Sequence, residues 1–191
     1  MAEVFFADDY LLRMFAMTEF LSSLHPKLVH FPVALLFTGG LLELVAVITG
    51  KKIWSNTALL LLGLGVISSI AALISGEQAA LQAKELMTAG SPAYSLYTGE
   101  IEKHENAATM VVWVFTLLLF IRGWMFIKLD IRKQTLNAAG FLRILSVLLV
   151  LTGFYYLYLT GELGGNLVYK HGIGTELFNP EEVLKDSVGA K

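Results

Sequence analysis

Four histidines are the residues of this sequence best suited to chemistry, because neutral imidazole is a common ligand of metal ions and of haem iron. They are His25, His30, His104 and His171. Each stands at or near the edge of an apolar run, and the first two lie in LHPKLVHFP (24–32), where the first run begins. The sequence has no cysteine, which excludes disulfides, thiolate-ligated clusters and covalently attached c-type haem. Any metal would therefore be held by histidine, carboxylate, methionine or backbone oxygen.

The composition predicts an integral membrane protein. Of the 191 residues, 55% are hydrophobic and only 16% are charged, whereas a soluble domain has about 25% charged residues. Four apolar runs each approach the ~20 residues that a helix needs to cross a bilayer. They cover 32–49, 57–75, 107–127 and 141–160. Because a spanning backbone must satisfy its own hydrogen bonds, we expect an all-α, integral membrane four-helix bundle.

The chain divides into three parts in this interpretation. Residues 1–24 form an interfacial amphipathic helix, which would lie on the membrane or pack against a partner subunit. Residues 25–171 form the four-helix transmembrane domain, and 172–191 form an external tail with a short helix that begins at Asn179 and Pro180. No internal repeat is evident in the sequence. The net charge of −2 gives no reason to expect nucleic acid as a partner.

The position of the basic residues predicts the orientation in the membrane. Two short connections between runs are rich in lysine and arginine, and such connections face the cytoplasm in most membrane proteins. These basic residues are Lys51, Lys52, Lys128, Arg132 and Lys133. Both termini would then be external. Counting the crossings places all four histidines on that same external face.

A haem held by two histidines is the first interpretation of this convergence. The first and third helices of an up–down bundle are diagonal neighbours, so His30 and His104 would approach a macrocycle from opposite sides. These two are the main ligand candidates. His171 lies in a glycine-rich turn, from which it would ligate or bind a propionate. His25 precedes Pro26 and has a capping role available.

Two other interpretations of the histidines remain open. Several carboxylates are predicted at the level of the imidazoles, and histidine with carboxylate suits non-haem iron, zinc or manganese. They are Glu77, Glu102, Glu105 and Glu162. Alternatively, each histidine caps a helix end or binds a lipid headgroup without any metal. Small residues near this level would leave room for a cofactor; they are Gly76, Gly153, Gly161, Gly164 and Gly165.

Three blocks of this sequence resemble the signature of a bacterial four-helix membrane family catalogued only as a domain of unknown function. They are HPKLVHFPVALL, HENAA and GGNLVYKHGIG, which span most of 24–174 and contain all four histidines. Members of that family are sometimes joined to c-type cytochrome domains, so the resemblance implies a redox setting. This chain has no such extension, so its electron partner would be a separate protein. The resemblance also implies a bacterial inner membrane. With the orientation predicted from the basic connections, both termini and the histidines would lie on its periplasmic side.

One acidic and one basic residue are predicted to lie within the membrane. Glu43 in the first run and Arg122 in the third lie at matching depths from the end of the bundle that carries the basic connections. Ionisable residues inside a membrane are functional candidates by default. Matched depth favours a structural ion pair, and proton transfer is the alternative.

These observations favour a membrane electron-transfer protein that binds haem b through external histidines. The alternative is a non-catalytic accessory subunit of a larger respiratory or photosynthetic membrane complex, with or without a non-haem iron or zinc site. No complete catalytic motif accompanies the histidines, so we expect an electron carrier or a subunit rather than an enzyme. The expected partners are membrane lipid and other redox or complex subunits.

The orientation can be tested with topology reporters. Because basic residues crowd the two short connections, a reporter that works only in the periplasm should be active at either terminus. It should be silent when inserted after Lys52 or after Arg132. Activity at these two insertions and silence at the termini would reverse the orientation.

Overall fold

The protein is a bundle of four long helices. The computed structural model describes residues 16–87, 89, 92–135 and 138–175. The helices are α1 (His30–Thr49), α2 (Lys52–Glu85), α3 (Pro92–Met125) and α4 (Ala139–Tyr169), and a π-helical segment, Phe126–Ile131, continues α3. The described part of the chain contains no strand. The predicted all-α bundle is confirmed.

All four helices are long and apolar enough to cross a membrane, so this is a multi-pass membrane protein. They are also longer than the apolar runs. With 34 residues each, α2 and α3 exceed what a ~30 Å hydrocarbon core requires. The segments 92–100 and 161–169, which lie outside the four apolar runs, are helical as well. Their sequences are too polar to be recognised as spans, yet a polar helix is stable once it packs on its neighbours.

The first helix begins earlier than predicted. Residues 16–28, termed the leading segment, are helical and continue into α1 through a single turn at Val29, whose backbone is also right-handed helical. The Val29 amide donates to the His25 carbonyl at 3.1 Å. Pro32 lacks an amide hydrogen, so it removes one helical bond without ending the helix. Phe31 is therefore helical rather than extended.

The predicted division into three parts stays a prediction. The described helix runs through position 24, where the interfacial helix was expected to end. Residues 1–15 and 176–191, which include most of that helix and the expected helix start at Asn179, lie outside the described residues.

The bundle consists of two antiparallel hairpins, α1–α2 and α3–α4. Further contacts join α2 to α3 and α1 to α4, so α1 and α3 are diagonal. All four helices contribute completely buried side chains to the central core; these are Leu36, Leu62, Phe115, Leu118 and Val150. A second buried cluster, around Tyr97 and Ile101, joins α2, α3 and the turn after α4.

The two hairpins repeat the same contacts at the same register. Leu36 of α1 lies on Gly65 of α2, and Phe115 of α3 lies on Gly153 of α4. A Cβ atom on Gly65 would come within 2.5 Å of Leu36, and one on Gly153 within 2.6 Å of Phe115. Positions 36 and 115 are 79 apart, and positions 65 and 153 are 88 apart. The bundle is therefore an internal repeat, although few residue types match between its halves.

The same register relates Glu43 to Arg122, since positions 43 and 122 are also 79 apart. Arg122 Nε lies 2.8 Å from Glu43 Oε2, and the two side chains are only 9% and 0% exposed. The Nε–H group does not point at the oxygen, so the contact is an ion pair without a well-formed hydrogen bond. Arg122 Nη2 donates to Ser55 Oγ at 2.5 Å. The pair therefore connects the diagonal helices inside the bundle.

We expect this ion pair to be structural. Glu43→Gln and Arg122→Gln should each lower the free energy of unfolding by about 3–5 kcal/mol, because each leaves an unpaired buried charge. The double variant should recover part of the loss. Thermal unfolding in detergent would measure all three proteins.

The exposed pair Lys52–Asp130 provides the matched control. Its atoms lie 2.6 Å apart, but Lys52 is 71% exposed, so Lys52→Gln should cost below about 1 kcal/mol. Strictly additive losses at Glu43 and Arg122 would contradict the pairing and favour a role in proton transfer.

Candidate functional site

His25 is held by a hydrogen bond that determines which ring nitrogen is free. Its Nδ1 lies 3.1 Å from Ser75 Oγ of α2. The Ser75 hydroxyl donates its only proton to the Ala72 carbonyl at 3.0 Å, so it must accept from Nδ1–H. The proton of the neutral imidazole is therefore on Nδ1. Nε2 then retains a lone pair that can bind a metal ion or accept a hydrogen bond.

His104 has the equivalent arrangement in the second hairpin. Its Nδ1 lies 3.1 Å from the Thr160 carbonyl oxygen of α4. A carbonyl oxygen can only accept, so Nδ1–H donates and Nε2 again retains its lone pair. Positions 25 and 104 are 79 apart, as are 36 and 115. The two histidines thus occupy equivalent positions of the repeat.

Each imidazole lies directly on a glycine of the neighbouring helix. A Cβ atom on Gly76 would come within 2.9 Å of His25 Cε1, and one on Gly164 would come equally close to His104 Cε1. Positions 76 and 164 are 88 apart, in the register of the core glycines. A Cβ atom at either position would require the facing imidazole ring to move.

His25 and His104 occupy equivalent positions of the two hairpins. Both rings are half-buried. They come from the leading segment and from α3, which belong to diagonal spans. Beside His104, the buried Thr160 Oγ1 has no hydrogen-bond partner within the described residues. An unpaired buried hydroxyl is costly, so this atom is available to a bound group.

His30 does not join this pair. It is exposed, whereas His25 is half-buried. The two positions are five residues apart, which corresponds to about 140° around a helix. Because the leading segment and α1 form one nearly continuous helix, His25 and His30 cannot both face the interior. The sequence predicted a helix start at Pro32, with His30 just outside the first turn, whereas the chain is helical on both sides of this position; the His30–His104 pair stays a prediction.

His171 lies in the turn after α4, next to α3. Its ring meets that of Tyr97 edge-on, with centroids 5.3 Å apart. Gly172 and Gly174 have the positive φ angles of 67° and 82° that glycine tolerates best. Gly164 and Gly165, expected in this turn, are part of α4 instead. His171 therefore packs on α3 through Tyr97, from a turn of its own.

The carboxylates expected at the level of the imidazoles do not form a metal-binding group with them. Among the described residues, no group of three or more histidine or acidic side chains is placed to hold a metal ion. Glu77, Glu102 and Glu162 are exposed. Two neutral imidazoles with anchored Nδ1–H groups are the usual donor set for axial ligation of haem iron. His25 and His104 thus offer two imidazole nitrogens as possible ligands.

Ser75 and Thr160, which orient the imidazoles, were missed by sequence reasoning. The spacing of other residues carries a signal for the register of the hairpins. A histidine and the bulky residue that follows it are 11 positions apart in both hairpins (25 to 36 and 104 to 115), and so are the two glycines (65 to 76 and 153 to 164). This shared spacing indicates that the histidines face Gly76 and Gly164, but it does not identify Ser75 or Thr160, whose positions are 85 apart rather than 88.

Comparison with known proteins assigns the family. The family model described as "Predicted membrane protein (DUF2231)" matches residues 21–177, which include all four helices and all four histidines. No curated protein and no solved structure matches the chain. The family match covers well over half of the sequence, in agreement with the resemblance of its sequence blocks. The chain therefore belongs to this family of predicted membrane proteins (DUF2231).

Proposed function

We propose that this protein binds b-type haem between His25 and His104 and serves in membrane electron transfer. One observation carries the proposal: two equivalent imidazoles from diagonal spans each donate Nδ1–H to a fixed acceptor and retain the Nε2 lone pair. A haem ligated in this way supplies a one-electron redox centre. The proposal replaces His30 with His25 as the partner of His104.

The surrounding residues would position and tune the ligands. Ser75 Oγ and the Thr160 carbonyl hold the rings in one orientation, and hydrogen bonding at Nδ1 raises the basicity of Nε2. Gly76 and Gly164 allow the rings to lie against the neighbouring helices. The Thr160 hydroxyl can donate to a polar group at the edge of the site. His171 and the exposed His30 would have no role as iron ligands.

The location follows from the distribution of charge. With the basic connections in the cytoplasm, the site would lie at the periplasmic side of a bacterial inner membrane. Electrons would then be exchanged with a separate periplasmic or membrane-bound redox partner, or with other subunits of a complex.

A structural subunit is the second candidate, and the same contacts support it. Hydrogen bonds between helices stabilise membrane bundles, and His25 and His104 each bond to the opposite helix of their hairpin. In this case the imidazoles would fasten the hairpins of a non-catalytic accessory subunit, without haem, non-haem iron or zinc. Removing either histidine would then affect stability but no optical spectrum.

Purified protein and single variants distinguish the two candidates. The native protein should contain haem b at about one per chain and show a sharp low-spin band on reduction. His25→Ala and His104→Ala should each lose the haem or become high-spin. His30→Ala and His171→Ala should retain the native spectrum. Optical spectra and haem assays measure these outcomes.

Two glycines of α4 provide a further matched comparison. Gly164→Ala places a methyl group against the His104 ring and should disturb the haem band, whereas a Cβ on Gly161 meets no atom within 4 Å. Gly161→Ala should therefore leave the haem band unchanged. A colourless native protein, or full haem occupancy after replacement of both His25 and His104, would contradict the proposal.

A further inference from the structure

A cavity of about 300 Å³ opens at the end of the bundle opposite the histidines. We call this the basic end, since it contains the α1–α2 connection and the π-helical segment. Four cationic side chains and one carboxylate line the cavity; they are Lys51, Lys52, Arg122, Arg143 and Asp130. The cavity therefore has an excess of positive charge.

Two of the four cations are already neutralised. Lys52 pairs with Asp130 at 2.6 Å, and Arg122 pairs with Glu43 at 2.8 Å. No carboxylate of the described residues forms an ion pair with Lys51 or Arg143. Both of these side chains belong to exposed residues. The cavity thus has two unmatched positive charges at its mouth and a buried ion pair behind them.

Backbone donors reinforce this charge. The helices α2 and α4 both begin at the basic end, and neither has a side-chain cap or an acidic residue in its first turn. Amide groups at the start of a helix are unpaired and attract anions. Lys51, Lys52 and Ser55 from the start of α2, and Arg143 from the first turns of α4, line the cavity. The cationic side chains and the unpaired amide groups at the helix starts therefore both favour an anionic ligand.

The cavity also lies where the internal repeat breaks down. Residues 126–131 correspond in register to 47–52, but α1 ends at Thr49 and is followed by the cap residue Gly50 (φ 65°), while α3 continues as a π-helix. Single-turn π-helical segments are rare and are frequent at functional sites. Phe126, Leu129 and Asp130 of this segment line the cavity. The deviation from the repeat thus shapes the cavity wall.

We infer that this cavity binds a phosphate group, supplied either by an anionic phospholipid headgroup or by free phosphate. Lys51, Arg143 and the uncapped start of α2 would surround the phosphate oxygens. Basic pockets between transmembrane helices at the membrane surface suit anionic headgroups. The site is independent of the histidines and of any haem.

A charge-matched pair of double variants tests this inference. Lys51→Gln/Arg143→Gln removes the two unmatched cations of the cavity. Lys128→Gln/Arg132→Gln removes the same charge from the same end, at residues that do not line the cavity. The full-length proteins, in micelles with phosphatidylcholine, receive either phosphatidylglycerol or inorganic phosphate, with chloride at equal ionic strength as reference. Melting temperatures and native mass spectra report binding.

The native protein should retain about one phosphatidylglycerol per chain or be stabilised by phosphate at constant ionic strength. Affinity should fall about tenfold or more in the cavity variant and stay near native in the control variant. Stabilisation by the lipid alone identifies the headgroup as ligand, and stabilisation by both identifies phosphate in general. Equal losses in the two variants, or no binding by the native protein, would overturn the inference.

Discussion

The architecture depends on one kind of contact, a large side chain lying directly on a glycine of the neighbouring helix. Leu36, His25, Phe115 and His104 all pack in this way, and their glycines leave no room for a methyl group. In a membrane, helices gain little from hydrophobic burial against lipid, so close packing on small residues contributes much of their association. Two such contacts in each hairpin fix how far one helix is shifted along the other. This shift determines which hydrogen-bond acceptor lies beside Nδ1 of each imidazole, and Nε2 is therefore the nitrogen that stays free.

The buried ion pair and the candidate cofactor site are both formed by residues at equivalent positions of the internal repeat. Equivalent positions of the two hairpins meet near the bundle axis. Two identical acids or bases there would repel each other in a medium that screens charge poorly. Glu43 and Arg122 occupy these positions with opposite charges, whereas His25 and His104 remain identical. Identical neutral ligands suit a symmetric macrocycle. The two hairpins therefore carry different residues where like charges would repel each other. They carry identical histidines at the positions that could ligate a cofactor.

Much of the fold could be predicted from the sequence. The four apolar runs, the diagonal relation of the first and third helices, and the matching depth of Glu43 and Arg122 all follow from hydropathy and helical rise. The polar helix extensions could not be predicted, because they are stabilised by packing rather than by local propensity. The choice between His25 and His30 depended on whether Pro32 ends the helix. Ser75 and Thr160 could not be assigned as partners because their roles depend on the relative shift of neighbouring helices.

The identity of the two imidazoles as iron ligands is best tested by electron paramagnetic resonance of the purified, oxidised protein. Axial ligation by His25 and His104 predicts a low-spin ferric signal with ¹⁴N hyperfine coupling to two imidazole nitrogens. Selective ¹⁵N labelling of histidine should replace this ¹⁴N coupling with ¹⁵N coupling. A high-spin ferric signal, coupling to only one imidazole, or the absence of any haem iron signal would contradict ligation by this pair.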